Sequence, residues 1–236
     1  MNSIKNEELL ILAGGFGTRI SSISNNLPKI MMPIGDRPFL DYQMEQWTGW
    51  GFSNFRFLLH YKAEEIISHF GTSDFVKSKN LNISFEVERE PLGTGGAVMR
   101  AINEKSMGYE WVTVVNGDTF IDADVRGIYK AQHTTLLLLK NQPMQSRFGG
   151  VTLGIDDRIV SFDSMPSSSK NSFANSGMIR LEVSKFSENL KAPFSFEQLL
   201  VNKLNNHETF FGLVVDGLFT DIGIPDDYFD FCKISN

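Results

Sequence analysis

The residues best placed to do chemistry cluster where glycine strips the chain bare. From Leu9 to Arg19 the sequence reads Leu-Leu-Ile-Leu-Ala-Gly-Gly-Phe-Gly-Thr-Arg, an apolar run that stops at three glycines and a cation. Gly14, Gly15 and Gly17 carry no Cβ, so backbone N–H groups there can line one concavity and oxyanions can approach the main chain closely. Arg19 adds a planar, permanently charged fork suited to phosphate oxygens. This is the pattern of a phosphate site. It is not a Walker A loop, since no Gly-Lys-Ser/Thr closes it, and Ile20 stands where a dinucleotide fingerprint needs its third glycine. On these residues alone, a glycine-rich βα turn without a ligand is the competing reading.

Three more stretches bear on the same chemistry. Lys29 lies between Pro28 and Pro33, in a stiffened connection able to hold its ammonium over a ligand. Glu88-Arg89-Glu90-Pro91-Leu92-Gly93-Thr94-Gly95-Gly96-Ala97 is a second glycine-rich turn that feeds a helix, although Glu88-Arg89-Glu90 alone reads equally as an exposed charge run. Asn116-Gly117-Asp118 closes another apolar run and sets a carboxylate at the carboxyl end of a strand, where ligands of open α/β sheets sit. The same tripeptide is also an ordinary turn composition. His60, His69, His133 and His207 show neither metal-ligand spacing nor a Cys partner, so no zinc site is expected.

Period and punctuation define the elements that must position these groups. Buried strands are predicted at Leu9 to Leu12, Asn54 to His60 and Trp111 to Val115, and an alternating one at Asn82 to Glu88 with Ile83, Phe85 and Val87 on its drier face. Helices are predicted over Pro38 to Trp50, stopped by Gly51, and over Lys62 to Phe70 with Ile66, Ile67 and Phe70 inward. Further helices are predicted from the second glycine turn to about Lys105, over Asp124 to His133, from a Ser195/Gln198 capping box to Leu204, and from Pro225 to about Phe231. The later half adds strands at Thr134 to Leu139, Gly150 to Ile155, Ile159 to Phe162, Ser176 to Leu181 and Thr209 to Val215. A serine run from Ser167 to Ser172 reads as a mobile loop. Strands alternating with helices predict a mostly parallel α/β sheet with an antiparallel excursion in the later half.

At 236 residues the chain can bury a substantial core in one domain. A net charge of −6 excludes bulk attraction to nucleic acid, so phosphate binding must come from placed residues. Met1 to Glu8 lacks the apolar core of a secretory signal, and no apolar run reaches membrane-spanning length. The lone Cys232 excludes an internal disulfide and fits a reducing compartment. A cytoplasmic protein without nucleic-acid or membrane partners is expected.

In order and spacing, Leu12-Ala13-Gly14-Gly15-Phe16-Gly17-Thr18-Arg19, Pro28-Lys29, Pro91 to Ala97 and Asn116-Gly117-Asp118 resemble the sugar-phosphate nucleotidyltransferases. The likeness continues through Arg147-Phe148-Gly149, Asn175-Ser176-Gly177, Ser195-Phe196-Glu197 and Asp221-Ile222-Gly223-Ile224-Pro225, so it covers nearly the whole chain. It implies a Rossmann-like, mostly parallel mixed sheet flanked by helices. A single domain over 1–236 is expected, with the nucleotide-binding part at about 1–120, the sugar-phosphate part at about 121–236, and no C-terminal β-helix. It also implies that the phosphate of a sugar 1-phosphate attacks the α-phosphorus of a nucleoside triphosphate and releases pyrophosphate. Within the family the chain most resembles members that take a heptose 1-phosphate and GTP; mannose 1-phosphate with GTP, and glucose 1-phosphate with dTTP, CTP or UTP, are the alternatives. Dimers are common among such proteins.

The resemblance implies roles for individual residues. Arg19, Lys29 and Asp118 are the catalytic set. The nucleotide is held by Leu12, Ala13, Gly14, Gly15, Gly17, Thr18, Arg19, Lys29, Glu88, Pro91, Gly93 and Thr94. Asp118 and Asp221 converge on one Mg²⁺, which takes few carboxylates plus phosphate oxygens and waters. Gly149, Asn175 and Gly177 line the sugar pocket. The chain departs from the family at Met165, where relatives carry the lysine that binds the sugar phosphate; Lys170 and Arg180 are the candidate replacements. That departure also opens a different class, a catalytically silent sensing paralogue. A glycosyltransferase reading rests on Asp122-x-Asp124, which falls past the strand end.

Overall fold

The parallel strands predicted around the glycine turns pair side by side in the computed structural model, which describes residues 7–104, 108–140, 149–163, 171–186, 188 and 190–234. In chain order the elements are β1 (Glu8–Leu12), β2 (Pro33–Ile34), β3 (Arg37–Pro38), α1 (Phe39–Trp50), β4 (Asn54–Leu59), α2 (Ala63–Thr72), α3 (Asp74–Lys79), β5 (Asn82–Val87), α4 (Gly93–Asn103), β6 (Trp111–Asn116) and β7 (Thr119–Asp122). They continue with β8 (Thr135–Leu139), β9 (Gly150–Leu153), β10 (Ile159–Asp163), β11 (Ser172–Glu182), α5 (Phe196–Asn205), β12 (Phe211–Val215), β13 (Leu218–Asp221) and α6 (Pro225–Ile234).

The main sheet has the order β10-β9-β11-β6-β1-β4-β5, with β8 pairing both β11 and β12. β1, β4, β5 and β6 run parallel, in a register that sets Leu12 beside both Leu58 and Asn116. The carboxyl ends of these strands therefore share one edge. β11 runs antiparallel to β6, β8 and β9, the antiparallel excursion expected for the later half.

Burial tracks the apolar runs. One face of the sheet packs with α1 and α2 through Leu9, Ile11, Met44, Trp47, Phe57 and Ile66. The other packs with α4 and α5 through Leu10, Val98, Ile102, Val114, Leu199 and Leu200. A third cluster joins Ile20, Met32, Ile34 and Phe39 of the N-terminal segment to Ile222, Tyr228 and Phe231 near the C-terminus. It is sealed by the Tyr228 hydroxyl donating to the Pro33 carbonyl at 2.5 Å.

Some sequence expectations are corrected. Asp124 to His133 holds only a short 3₁₀ turn at Ile128–Lys130. The Asp124 carboxylate instead accepts from the Arg126 backbone N–H at 3.1 Å and from its guanidinium at 2.7 Å, a local closure that competes with helix formation. Ile67 is exposed because the inward stripe of α2 runs through Ala63, Ile66 and Phe70 and leaves it to one side. Val87 is exposed at the end of β5, which is an edge strand and shows weaker alternation than a central one. The helix after the second glycine turn ends at Asn103, and the predicted serine loop lies mostly outside the described residues.

Arg180 is no substrate-facing cation. Only 2% exposed on β11, it lies over the Trp111 ring and donates to both oxygens of Glu7, the nearest at 2.6 Å, and to the Ala131 carbonyl. This pair ties the entry to β1 to the antiparallel half of the sheet. Arg180→Met strands the Glu7 carboxylate and is expected to cost about 3–5 kcal/mol in urea denaturation. Adding Glu7→Gln should recover part of that loss, and an Arg180→Met protein as stable as the parent would contradict the assignment.

Candidate active site

A cavity of about 510 Å³ opens at the shared carboxyl edge of β1, β4, β5 and β6. Each strand delivers a residue to it from the turn at its carboxyl end: Gly14 after β1, His60 after β4, Glu88 after β5 and Asp118 after β6. Backbone bonds fix these turns to one another. Ala13 N–H donates to Leu58 at 3.1 Å, Glu88 N–H to Leu59 at 2.8 Å and Gly117 N–H to Leu12 at 2.9 Å. Gln43, fully buried on α1, donates to the carbonyls on both sides of Asp118, Gly117 at 3.3 Å and Thr119 at 2.6 Å. The Asn-Gly-Asp turn is thus held from beneath.

Asp118 and Asp221 meet through the small β7–β13 ladder, whose register sets Asp221 opposite Thr119. Ile222 N–H donates to the Asp118 carbonyl at 3.0 Å, and Gly223 N–H to Asp221 Oδ1 at 2.7 Å. Gly223 allows this closeness, since a Cβ there would lie 2.6 Å from Asp221 Oδ1 and 3.3 Å from Arg19 Nη2. Burial first, and the charge of Asp118 second, push the Asp221 carboxyl above its ordinary value, with Lys29 and Arg19 opposing. Lys29 Nζ donates to Asp118 Oδ2 at 2.5 Å. Its place is set by Pro28 before it and buried Ile30 after it, in a single 3₁₀ turn.

Two neighbouring carboxylates in a half-buried cleft suit a hard divalent cation. No third His, Cys, Asp or Glu joins them among the described residues. A cation held there would have coordination positions left for phosphate oxygens and water, which is how Mg²⁺ sits beside phosphates.

Leu12, Ala13, Gly14, Gly15, Arg19, Lys29, Glu88, Pro91, Gly93, Thr94, Gly149, Asn175 and Gly177 line the same cavity as Asp118 and Asp221. Gly17 and Thr18 do not: Gly17, in the left-handed region at φ 62°, turns the chain into the 3₁₀ segment, and Thr18 is exposed. Lys170 and Met165 lie outside the described residues. Asp122 and Asp124, the glycosyltransferase pair, are both exposed and absent from the lining. Gly93 (φ 71°) brings the second turn against Phe194, where a Cβ would come within 2.5 Å of the backbone oxygen.

Sequence reading gave His60 no role and missed Phe16, Asn116 and Glu197. His60 Nδ1 sits 3.1 Å from the Glu88 carbonyl, which can only accept, so that nitrogen carries the proton. Phe16 packs edge-on to His60 with ring centroids 5.4 Å apart. His60 was findable as the residue ending a strand parallel to β1; Glu197 carried only its place in a motif.

In metal-free buffer the two acids repel, so Asp221→Asn is expected to raise the melting temperature by a few degrees. Added Mg²⁺ and nucleotide are expected to stabilise the parent protein and to leave this variant unchanged. A lower melting temperature without metal would contradict like-charge crowding at this pair.

Comparison with known proteins identifies the family. Residues 8–235 match the family model described as Nucleotidyl transferase. The chain is 35% identical over 227 residues to a D-glycero-alpha-D-manno-heptose 1-phosphate guanylyltransferase of Aneurinibacillus thermoaerophilus, covering 94% of this chain and 95% of the relative. It is 34% identical over 226 residues to the Campylobacter jejuni protein of the same name, covering 95% and 98%. The crystal structure of HddC from Yersinia pseudotuberculosis in complex with GMP-PN superposes with a TM-score of 0.81 at 30% identity, covering 98% of this chain and 100% of that one. With its glycine turns, paired acids and flanking cations gathered at one sheet edge, the chain belongs to the nucleotidyl transferase family.

Proposed function

We propose that this protein joins a heptose 1-phosphate to GTP, yielding GDP-heptose and pyrophosphate for surface polysaccharide synthesis. The observation that carries it is the convergence of Arg19, Lys29, Asp118 and Asp221 on one cavity lined by both glycine turns. Identity to two heptose 1-phosphate guanylyltransferases along nearly the full length of all three chains supports the choice of sugar and base.

The nucleophile arrives with the substrate, so the protein has to align two polyanions and neutralise their charge. An oxygen of the sugar phosphate forms a bond to the α-phosphorus as the bond to the β-phosphate oxygen breaks. The bare backbone of Gly14 and Gly15 admits the triphosphate, and Arg19 at the rim neutralises its outer phosphates. Lys29 exchanges the Asp118 carboxylate for oxygens of the α-phosphoryl group, where charge builds up as the bonds change. Asp118 and Asp221 would hold Mg²⁺, which supplies charge neutralisation to the phosphates. Glu88 and the turn through Thr94 hold the base, and Gly149, Asn175 and Gly177 hold the sugar. Lys170 is the proposed cation for the sugar phosphate, in place of the family lysine that Met165 replaces. The lone Cys232 fits residence in the cytoplasm; no helix among the described residues is long and apolar enough to cross a membrane.

The test is pyrophosphate release with GTP, UTP, CTP and dTTP, each crossed with heptose, mannose and glucose 1-phosphates. Release should be fastest for GTP with heptose 1-phosphate. Lys29→Ala should lower kcat by about 10²–10³, the effect of deleting one donor to a developing oxyanion. Lys170→Ala should raise the KM for the sugar phosphate while leaving nucleotide affinity intact. No release with any pair, despite GTP binding, would favour the silent sensing paralogue.

A further inference from the structure

A second cavity, of about 330 Å³, adjoins the first and shares Leu12, Thr94, Asn116, Asn175, Gly177 and Glu197 with it. What it adds is largely carbon. Val114 of β6, Leu136 of β8, Ile179 of β11 and Leu200 of α5 line it, each at most 4% exposed in the protein as a whole. Phe196 N–H donates to Thr94 Oγ1 at 2.9 Å, joining the first turn of α5 to that of α4 along one wall.

The rim is polar and complementary in type. Asn175 Oδ1 accepts from Gly177 N–H at 3.0 Å, which leaves the Asn175 amide nitrogen as a donor. The Asn116 side chain is pressed against Gly177, where a Cβ would come within 2.3 Å of its amide nitrogen. Glu197, in the first turn of α5, is exposed, and no hydrogen bond or ion pair to it is found among the described residues. Its Oε1 would lie 3.5 Å from a Cβ on Gly149, across the sugar end of the main cavity.

A carboxylate acceptor and amide donors around an aliphatic floor match a short polyol. Its hydroxyls can donate to Glu197 and accept from the asparagines while its C–H face lies on Leu and Val carbon. A phosphate is excluded here by the charge of Glu197, so the fitting part of the acceptor is the end remote from its phosphate. We propose that the side cavity receives the exocyclic carbon chain of the acceptor sugar, with Glu197 accepting from its outer hydroxyls, and thereby selects a heptose over a hexose 1-phosphate. A heptose carries one more hydroxyl-bearing carbon on that chain than mannose does. The inference rests on the guanylyltransferase reading above and makes Glu197 and Leu200 specificity-determining residues.

The experiment compares kcat/KM for heptose 1-phosphate and mannose 1-phosphate in the parent protein, Leu200→Phe and Glu197→Gln, with GTP affinity measured by calorimetry. The first variant reduces the aliphatic room; the second keeps the shape of the rim and removes its charge. Both should lower the heptose-to-mannose ratio by about tenfold or more, Glu197→Gln chiefly through the KM for heptose 1-phosphate. If Leu200→Phe fails to fold, seen as lost GTP binding, the exposed Glu197→Gln decides alone. Normal turnover with an unaltered ratio in every variant that binds GTP overturns the proposal and leaves the guanylyltransferase reading standing. A parent protein that binds GTP but turns over neither sugar overturns both.

Discussion

Two carboxylates held side by side in a cleft meant for polyanions repel each other and the ligand alike, and much of the architecture is arranged around that constraint. Asp118 and Asp221 come together because the β7–β13 ladder fixes their register, with Ile222 N–H bonded to the Asp118 carbonyl at 3.0 Å. Lys29 at 2.5 Å from Asp118, and Arg19 beside Gly223, place positive charge against them. The cations belong to the N-terminal segment and the acids to two strand ends far apart in the chain. The third core cluster, Ile20, Met32 and Phe39 against Ile222, Tyr228 and Phe231, is the apolar seam that keeps the two sets in register. In a half-buried setting such mutual compensation decides which protonation states and which ligands are tolerated.

The parallel strands supply the rest of the geometry. Because β1, β4, β5 and β6 all point the same way, four successive turns open on one edge, and each can be shaped separately without disturbing the packed faces. Backbone approaches closest where glycine stands. Gly93 lies against the Phe194 backbone and Gly223 between Asp221 and Arg19, so the site is built as much from absent side chains as from present ones. The buried Gln43 and the Thr94 hydroxyl then tie the turns to the helices packed on the sheet.

The antiparallel half has a different task. β11 spans β6, β8 and β9, carrying Asn175 and Gly177 to the cavity at one point and burying Arg180 against Glu7 at another. One strand therefore both lines the cavity and fastens the antiparallel half to the start of β1. Arg180 shows why a cation near a binding motif is not thereby a ligand group. Adjacent strand residues face opposite sides of the sheet, and Arg180 found its carboxylate beneath it.

The amino-acid sequence by itself determined the local pieces: the buried run into Gly14 and Gly15, the helix ending at Gly51, the capped start of α5 at Ser195, and the Asn-Gly-Asp turn. These are short-range effects of periodicity, missing Cβ atoms and side-chain capping, so they can be read from neighbours along the chain. Register across strands, by contrast, is a property of partners distant in sequence. It alone decided that Asp221 lies beside Asp118 and that Arg180 turns toward Glu7, while the packing of α5 on α4 brought Glu197 to the cavity. Asp124 marks the boundary between the two regimes: its bond to Arg126 overrode the helical pattern over 124–133, and no periodicity argument includes that competition.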